Sequence, residues 1–355
     1  MILPPAAEEL LPEYDDFFSS YSVDLFFHPL KRAKLSAPTK RSCRFCNKSY
    51  PEVTFKKIAH MLPELMGNKN FISEFECDSC NSYFSKYETD LASFLGITRT
   101  LNLMKGKNSI PKFKNPDKKL EISFSEDRKN LQVISDGLEN KHWVIDEKKK
   151  TITFLATKSS YIPLNIFKIL LKIGFSFLRE QEDIANLQSL NNFLLNEELN
   201  HNFSNNPQLR VFIHFLAGKG VKEPLVIQFK KRNDAMIQNC PTLGFIIYFS
   251  NYVFQFFMPG HIDDHKVFSM FGNFQMPPCP ILLGKKYTDR FGIPVRQIVD
   301  FSSAEKKIGE SQKIVCTYES IHYHEQANFA IYKKRASMLN RLRHKIYNRS
   351  FNKSF

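Results

Sequence analysis

Two cysteine pairs, Cys43-Arg44-Phe45-Cys46 and Cys77-Asp78-Ser79-Cys80, stand thirty residues apart. Each Cys-x-x-Cys can bend around one ion and offer two thiolates, so together the pairs complete a tetrahedral four-sulfur zinc site. Four protein ligands leave no coordination position for a substrate, which makes this metal structural. Between the pairs stand a single histidine, His60, and the turn Leu65-Met66-Gly67-Asn68, and Asn81 directly follows the last cysteine. A knuckle that only held zinc would need none of these. Their presence points to chemistry beyond holding zinc.

Such side chains need elements to place them. Pro51 to Phe55 reads as a short strand, Ile58 to Leu62 as a second, and Asn81 to Leu95 as a helix with Phe84, Tyr87, Leu91 and Leu95 on one apolar face. That order is a β-hairpin followed by a helix. Asn81 falls at the helix start, where it serves equally as an N-cap or as a ligand. Glu88 lies two turns on with the same facing.

From Cys43 to Gly96 the chain resembles the cysteine-bracketed branch of the HNH endonucleases. In that branch a structural zinc clamps a ββα-metal core, and the catalytic histidine precedes an x-x-Pro-x-x-x-Gly-x turn. The signature here reads Ala59-His60-Met61-Leu62-Pro63-Glu64-Leu65-Met66-Gly67-Asn68, then Cys77-Asp78-Ser79-Cys80-Asn81-Ser82-Tyr83-Phe84. The resemblance implies a metal-dependent endonuclease acting on DNA, with RNA as the other substrate of that chemistry. Modules of this kind fused to a second, unrecognised domain imply a setting in prokaryotic anti-phage defence or a restriction-like system.

Phosphodiester hydrolysis at a single-metal site needs a base to activate water and a cation to stabilise the charge that develops. A neutral imidazole has the right basicity near neutral pH, which assigns His60 as general base. A hard cation such as Mg²⁺ prefers oxygen, so the Asn81 side-chain carbonyl is a candidate ligand, with Glu88 or Asp90 adding a carboxylate. One position departs from the resemblance. In most HNH nucleases the residue before the catalytic histidine binds the metal through an acid or a second histidine, and here it is Ala59. Related sequences often carry an acid about seven residues after the asparagine, which makes Glu88 the replacement; Glu64 and Glu76 are further acids in the segment. With one carboxylate fewer, Mn²⁺ or Ni²⁺ should serve better than Mg²⁺.

The wider composition bears on partners. The net charge is +14, and residues 1–30 hold six acids and no Lys or Arg, whereas the chain after Glu325 holds eight basic residues and no acid. A basic excess of this size favours a polyanion, through counterion release at phosphates. Candidate phosphate contacts are Lys105, Lys107 and Lys112 in a proline-broken basic stretch, and Arg341, Arg343 and Lys345 in the tail. The remaining cysteines, Cys240, Cys279 and Cys316, are widely spaced and read as small buried hydrophobes of a reducing compartment. No membrane span is expected: the most apolar stretch, Tyr161 to Leu178, carries Lys168 and Lys172 and reads as a buried helix with a solvated edge. The expected location is cytoplasmic.

Taken in order, the organisation reads as an acidic-aromatic arm without sustained period (1–40), the zinc module (41–97), a basic linker (98–118), an α+β domain (119–330) and a basic C-terminal helix or tail (331–355). Within 119–330, strands at Leu120–Phe124, Leu131–Ile134, Trp143–Ile145 and Thr151–Leu155 have the spacing of one antiparallel meander. Helices follow at 164–178 and 184–196, then strands near 211–215, 225–229, 243–249 and 252–258. The fold class is α+β. The competing function is a zinc-containing nucleic-acid-binding protein without catalysis, in which Ala59 records loss of the catalytic metal.

Overall fold

A computed structural model describes residues 11–27, 41–106, 109–135, 142–196, 209–218, 220–281, 285–294, 296–324 and 330–334. The fold is α+β, and the chain divides into two compact units whose segments alternate: residues up to 91 with 162–216 and 221–305, and residues 92–161 with 217–220 and 306 onward. The division falls inside the helix Asp78–Leu95.

The first unit is built on a six-stranded antiparallel sheet in the order Tyr21–Phe27, Val221–Lys231, Leu243–Ser250, Tyr252–Phe257, Arg210–Phe215, Arg296–Asp300. Its two middle strands, Leu243–Ser250 and Tyr252–Phe257, are buried almost without alternation, as strands covered on both faces must be. Phe17, Tyr21, Phe229, Ile246 and Phe257 form one part of that core. On the Phe245 side lies the helix Pro163–Phe177, in which every residue but Asn165 is buried. Pro163 opens it, where a missing N–H costs nothing. Gly174 brings its backbone against the sheet: a Cβ there would sit 2.6 Å from Met258 Sδ and 3.0 Å from Phe245. The solvated edge expected for this helix is absent. Lys168 and Lys172 are 0% and 1% exposed: Lys172 meets the Glu76 carboxylate at 2.8 Å, and Lys168 reaches Asn196 O at 3.4 Å and lies over the Phe193 ring.

Residues 11–27, expected to be part of an appended arm, are instead the helix Leu11–Ser20 and the edge strand Tyr21–Phe27. Tertiary pairing supplies what local periodicity lacks: Tyr21 pairs with Lys231 and Phe27 with Val226, with a bulge between Val23 and Leu25. The Tyr21 hydroxyl donates to the Pro241 carbonyl at 2.9 Å.

The second unit holds two antiparallel sheets around one core that includes Leu120, Ile122, Leu131, Ile152, Phe154 and Ile314. Three strands run in the order Ser311–Thr317, Thr151–Thr157, Trp143–Asp146, and five in the order Ile321–His324, Ala330–Lys334, Asn130–Ser135, Leu120–Phe124, Phe113–Lys114. The meander expected from the spacing is therefore two hairpins in different sheets, each completed by strands from the C-terminal part of the chain. The 98–118 stretch contributes a short helix, Thr98–Leu101, and the strand Phe113–Lys114, with Leu101, Met104 and Phe113 buried. Among the described residues no helix is long and apolar enough to cross a membrane.

Candidate functional site

The four cysteine sulfurs lie within 4.8 Å of one another, with Cys43 to Cys80 at 3.7 Å and Cys46 to Cys77 at 3.8 Å. A ZnS₄ tetrahedron with bonds near ~2.3 Å has edges of about 3.8 Å, so the donor set fits zinc. Local backbone chemistry makes this convergence. Cys43 N–H donates to Lys48 O and Asn47 N–H to Cys43 O, both at 2.8 Å, closing a turn through Asn47 in the left-handed region at φ 58°. The second pair sits where the helix Asp78–Leu95 begins, with Cys80 N–H directed at Cys77 Sγ at 3.5 Å. The thiols oppose one another electrostatically: Cys43 is held down to about 5, chiefly by its contact with Cys80, while burial pushes Cys77 up to about 11. The contact with Cys43 also pushes Cys80 well up. Four adjoining thiols lose their protons together only around a cation.

The helix starts three residues earlier than expected, so Asn81 lies inside its first turn, with its N–H bonded to Cys77 O at 2.9 Å, and is not an N-cap. Asp78 ties the preceding loop to the helix start, accepting from Thr54 Oγ1, Lys56 N and Lys57 N at 2.6, 3.0 and 2.8 Å. That engagement keeps residues 51–55 out of a strand. The hairpin is formed instead by Ala59–His60 with Ile72–Ser73, in the register Ala59 to Ser73 and His60 to Ile72. The ββα order stands with a different first partner.

The turn between these strands follows from its sequence. Pro63 precedes a single 3₁₀ turn, Glu64–Met66, and Gly67 ends it at φ 89°, a conformation that strains any residue with a Cβ. Asn68, 2% exposed, stitches the excursion together. Its Nδ2 donates to Leu62 O and Phe71 O at 2.6 and 3.0 Å, and its Oδ1 accepts from Asn70 N and Phe71 N at 3.0 and 2.8 Å.

His60 stands on this hairpin with a side chain 19% exposed, and its Nε2 is 3.8 Å from Glu64 Oε1. Glu88 is half-buried on the helix. Burial pushes its carboxyl up, Lys172 opposes the shift and Glu64 adds to it, so these groups share one electrostatic neighbourhood. Asn81, also half-buried, shares Glu88's face through the seven-residue interval. Among the described residues the four cysteines are the one group of three or more His, Cys, Asp or Glu ligand atoms converged on a point. Asp90 is committed elsewhere: its carboxylate accepts from Ile162 N at 3.2 Å and Asn165 Nδ2 at 2.7 Å, at the start of Pro163–Phe177.

Three contributors to the site escaped the sequence reading. Lys172 pairs with buried Glu76 at 2.8 Å and donates to the His60 carbonyl. Arg44, between the first two zinc cysteines, donates to the carbonyls of Phe175 and Leu178 at 2.8 and 3.1 Å and stacks on Phe75 at 3.7 Å. Asn191 Nδ2 donates to Arg44 O at 2.8 Å. Lysines inside an apolar helical run are the one signal that could have flagged buried partners. Of the basic candidates, Lys105 and Lys112 are exposed, with Lys112 3.6 Å from Glu121. Lys107, Arg341, Arg343 and Lys345 lie outside the described residues.

A zinc-clamped ββα unit with a histidine on its hairpin defines the ββα-metal class of nuclease module. Residues 43–92 match the family described as HNH endonuclease, and the four cysteines positioned there to bind a metal are consistent with its zinc-binding branch. No curated protein and no solved structure matches the chain.

Proposed function

We propose that this protein is a metal-dependent HNH-type endonuclease that hydrolyses phosphodiester bonds in DNA, with zinc on Cys43, Cys46, Cys77 and Cys80 as a purely structural ion. The observation that carries the reading is His60 on the zinc-clamped hairpin within the segment matched to the HNH endonucleases. His60 takes a proton from water, and Glu64 stabilises the imidazolium that forms. Asn81 and Glu88 would hold a divalent cation, Mg²⁺ or more readily Mn²⁺ or Ni²⁺, which supplies charge stabilisation for the phosphorane and the leaving oxygen. Lys105, Lys107, Lys112, Arg341, Arg343 and Lys345 supply phosphate contacts that carry affinity without base information. The setting we infer is a cytoplasmic restriction-like or anti-phage system, which a phage-plating assay with and without His60→Ala tests.

Supercoiled plasmid should be nicked with Mn²⁺, and His60→Ala should abolish nicking at every metal concentration. Ala59→Asp should lower the metal concentration needed for half-maximal nicking. An RNA preference would show as cleavage of the matching RNA alone. Ala59, 2% exposed and unable to ligate, favours a second reading: a nucleic-acid-binding zinc protein without catalysis. Plasmid binding without nicking in Mg²⁺, Mn²⁺ and Ni²⁺ would establish that reading instead.

A further inference from the structure

A buried ion pair is a poor source of stability. Two desolvated charges repay their cost only when every lone pair and proton is satisfied, and an apolar pair of similar volume does as well or better. Lys172 and Glu76 have side chains 1% and 0% exposed and lie 2.8 Å apart, yet Glu76 Oε1 is buried without a hydrogen-bond partner. Stability alone does not account for such a pair, which turns attention to what it positions.

What it positions is legible from its two contacts. The same ammonium group that meets Glu76 also donates to the main-chain carbonyl of His60. His60 is on the hairpin, and Glu76 immediately precedes Cys77 at the foot of the helix that carries Asn81 and Glu88. Lys172 thus bridges the two halves of the ββα unit from a helix, Pro163–Phe177, that lies wholly outside the segment matched to the family. Its burial excludes contact with a substrate, so its effect passes through its neighbours: His60, whose carbonyl it holds, and Glu88, whose carboxyl feels its charge.

We propose that Lys172 is a positioning residue of the nuclease site: its ammonium group ties the His60 carbonyl to Glu76 and so fixes the imidazole relative to the Asn81 and Glu88 face. This rests on the nuclease reading of His60. It also withholds Glu76 from the divalent cation, leaving Glu88 as the carboxylate for that role. Arg44 secures the other end of the same contact by holding the carbonyls that close Pro163–Phe177.

The test uses full-length, zinc-loaded protein with two variants. Lys172→Met combined with Glu76→Gln removes both charges without stranding either; Lys172→Arg keeps the charge but places a planar fork where a single ammonium bridged two acceptors. Zinc content, plasmid nicking with Mn²⁺ and the His60 ring resonances are read for each. Both variants should keep zinc, show KM for DNA within about twofold of the parent and lose roughly ten- to a hundredfold in kcat, with the His60 resonances shifted. Folded, zinc-loaded variants with parental kcat and unshifted His60 would overturn the proposal. Should the double variant not fold, Lys172→Arg decides by the same criteria. If the parent protein itself never nicks DNA, the nuclease reading falls separately. The His60 resonances then decide whether Lys172 positions the ring, a shift supporting it and none refuting it.

Discussion

Replacing Asn68 is the most direct test of how the turn after His60 is held. Its side chain makes four hydrogen bonds, two given to Leu62 O and Phe71 O and two accepted from Asn70 N and Phe71 N, at 2% exposure. At a net contribution of about 0.5–1.5 kcal/mol each, alanine forfeits about 2–6 kcal/mol. Asn70 and Phe71 are only half-buried, so water recovers part of this and leaves a loss of about 2–4 kcal/mol. Asn68→Asp separates donors from acceptors. The carboxylate can still accept from both amides, but it faces two carbonyl oxygens, which favours its protonated form and raises its folded-state pKa above the unfolded value. Its contribution is therefore fully present below the unfolded pKa and is lost as pH rises through the folded one. Chemical denaturation of zinc-loaded protein, with hydrogen exchange at the Phe71 amide, measures both variants. An alanine variant within about 0.5 kcal/mol of the parent, or an aspartate variant equally stable at about pH 5 and about pH 8, would refute the role given to this side chain.

Other consequences can be checked alongside. Cys77→Ser should lose the zinc and, with it, most of the ~10–16 kcal/mol that a structural zinc supplies, seen as melting of the 43–92 segment; parental protein should carry zinc by elemental analysis. Asp90→Ala exposes the N–H of Ile162 and the amide of Asn165 at a helix start, a loss of about 1–2 kcal/mol by denaturant titration. In the second unit, burial pushes the Glu310 carboxyl up, but Lys158 and the Tyr161 hydroxyl outweigh it and hold it below the usual range. That contribution is present above the unfolded-state pKa and fades as pH falls through the folded one, so Glu310→Gln should flatten the acid limb of the melting curve.

The zinc ligands were legible because their chemistry is local: two short spacings define the geometry by themselves. The helix face Phe84, Tyr87, Leu91, Leu95 was equally legible, and all four are buried. The hairpin was misplaced because strands of two residues carry no period, and hydrogen bonds to Asp78 decide what residues 54–57 do. Lys172 was misread for a related reason. A lysine in an apolar run looks like a solvated edge until the acid it meets, nearly a hundred positions earlier in the chain, is brought beside it. The pairing of Asn130–Ser135 with Ala330–Lys334 is of the same non-local kind.

The helix that clamps the hairpin has a bearing on the order in which the protein is made. The cysteine ligands are complete once Cys80 has left the ribosome, whereas Lys172 and the carbonyls held by Arg44 emerge roughly ninety residues later, on the order of 5–20 s at ordinary rates of synthesis. During that interval the nascent chain can hold zinc but has nothing to fix His60 against Glu76. On the reading proposed above, the module gains its full activity only when that helix has emerged, about halfway through synthesis, and a truncated product ending before residue 163 would stay impaired.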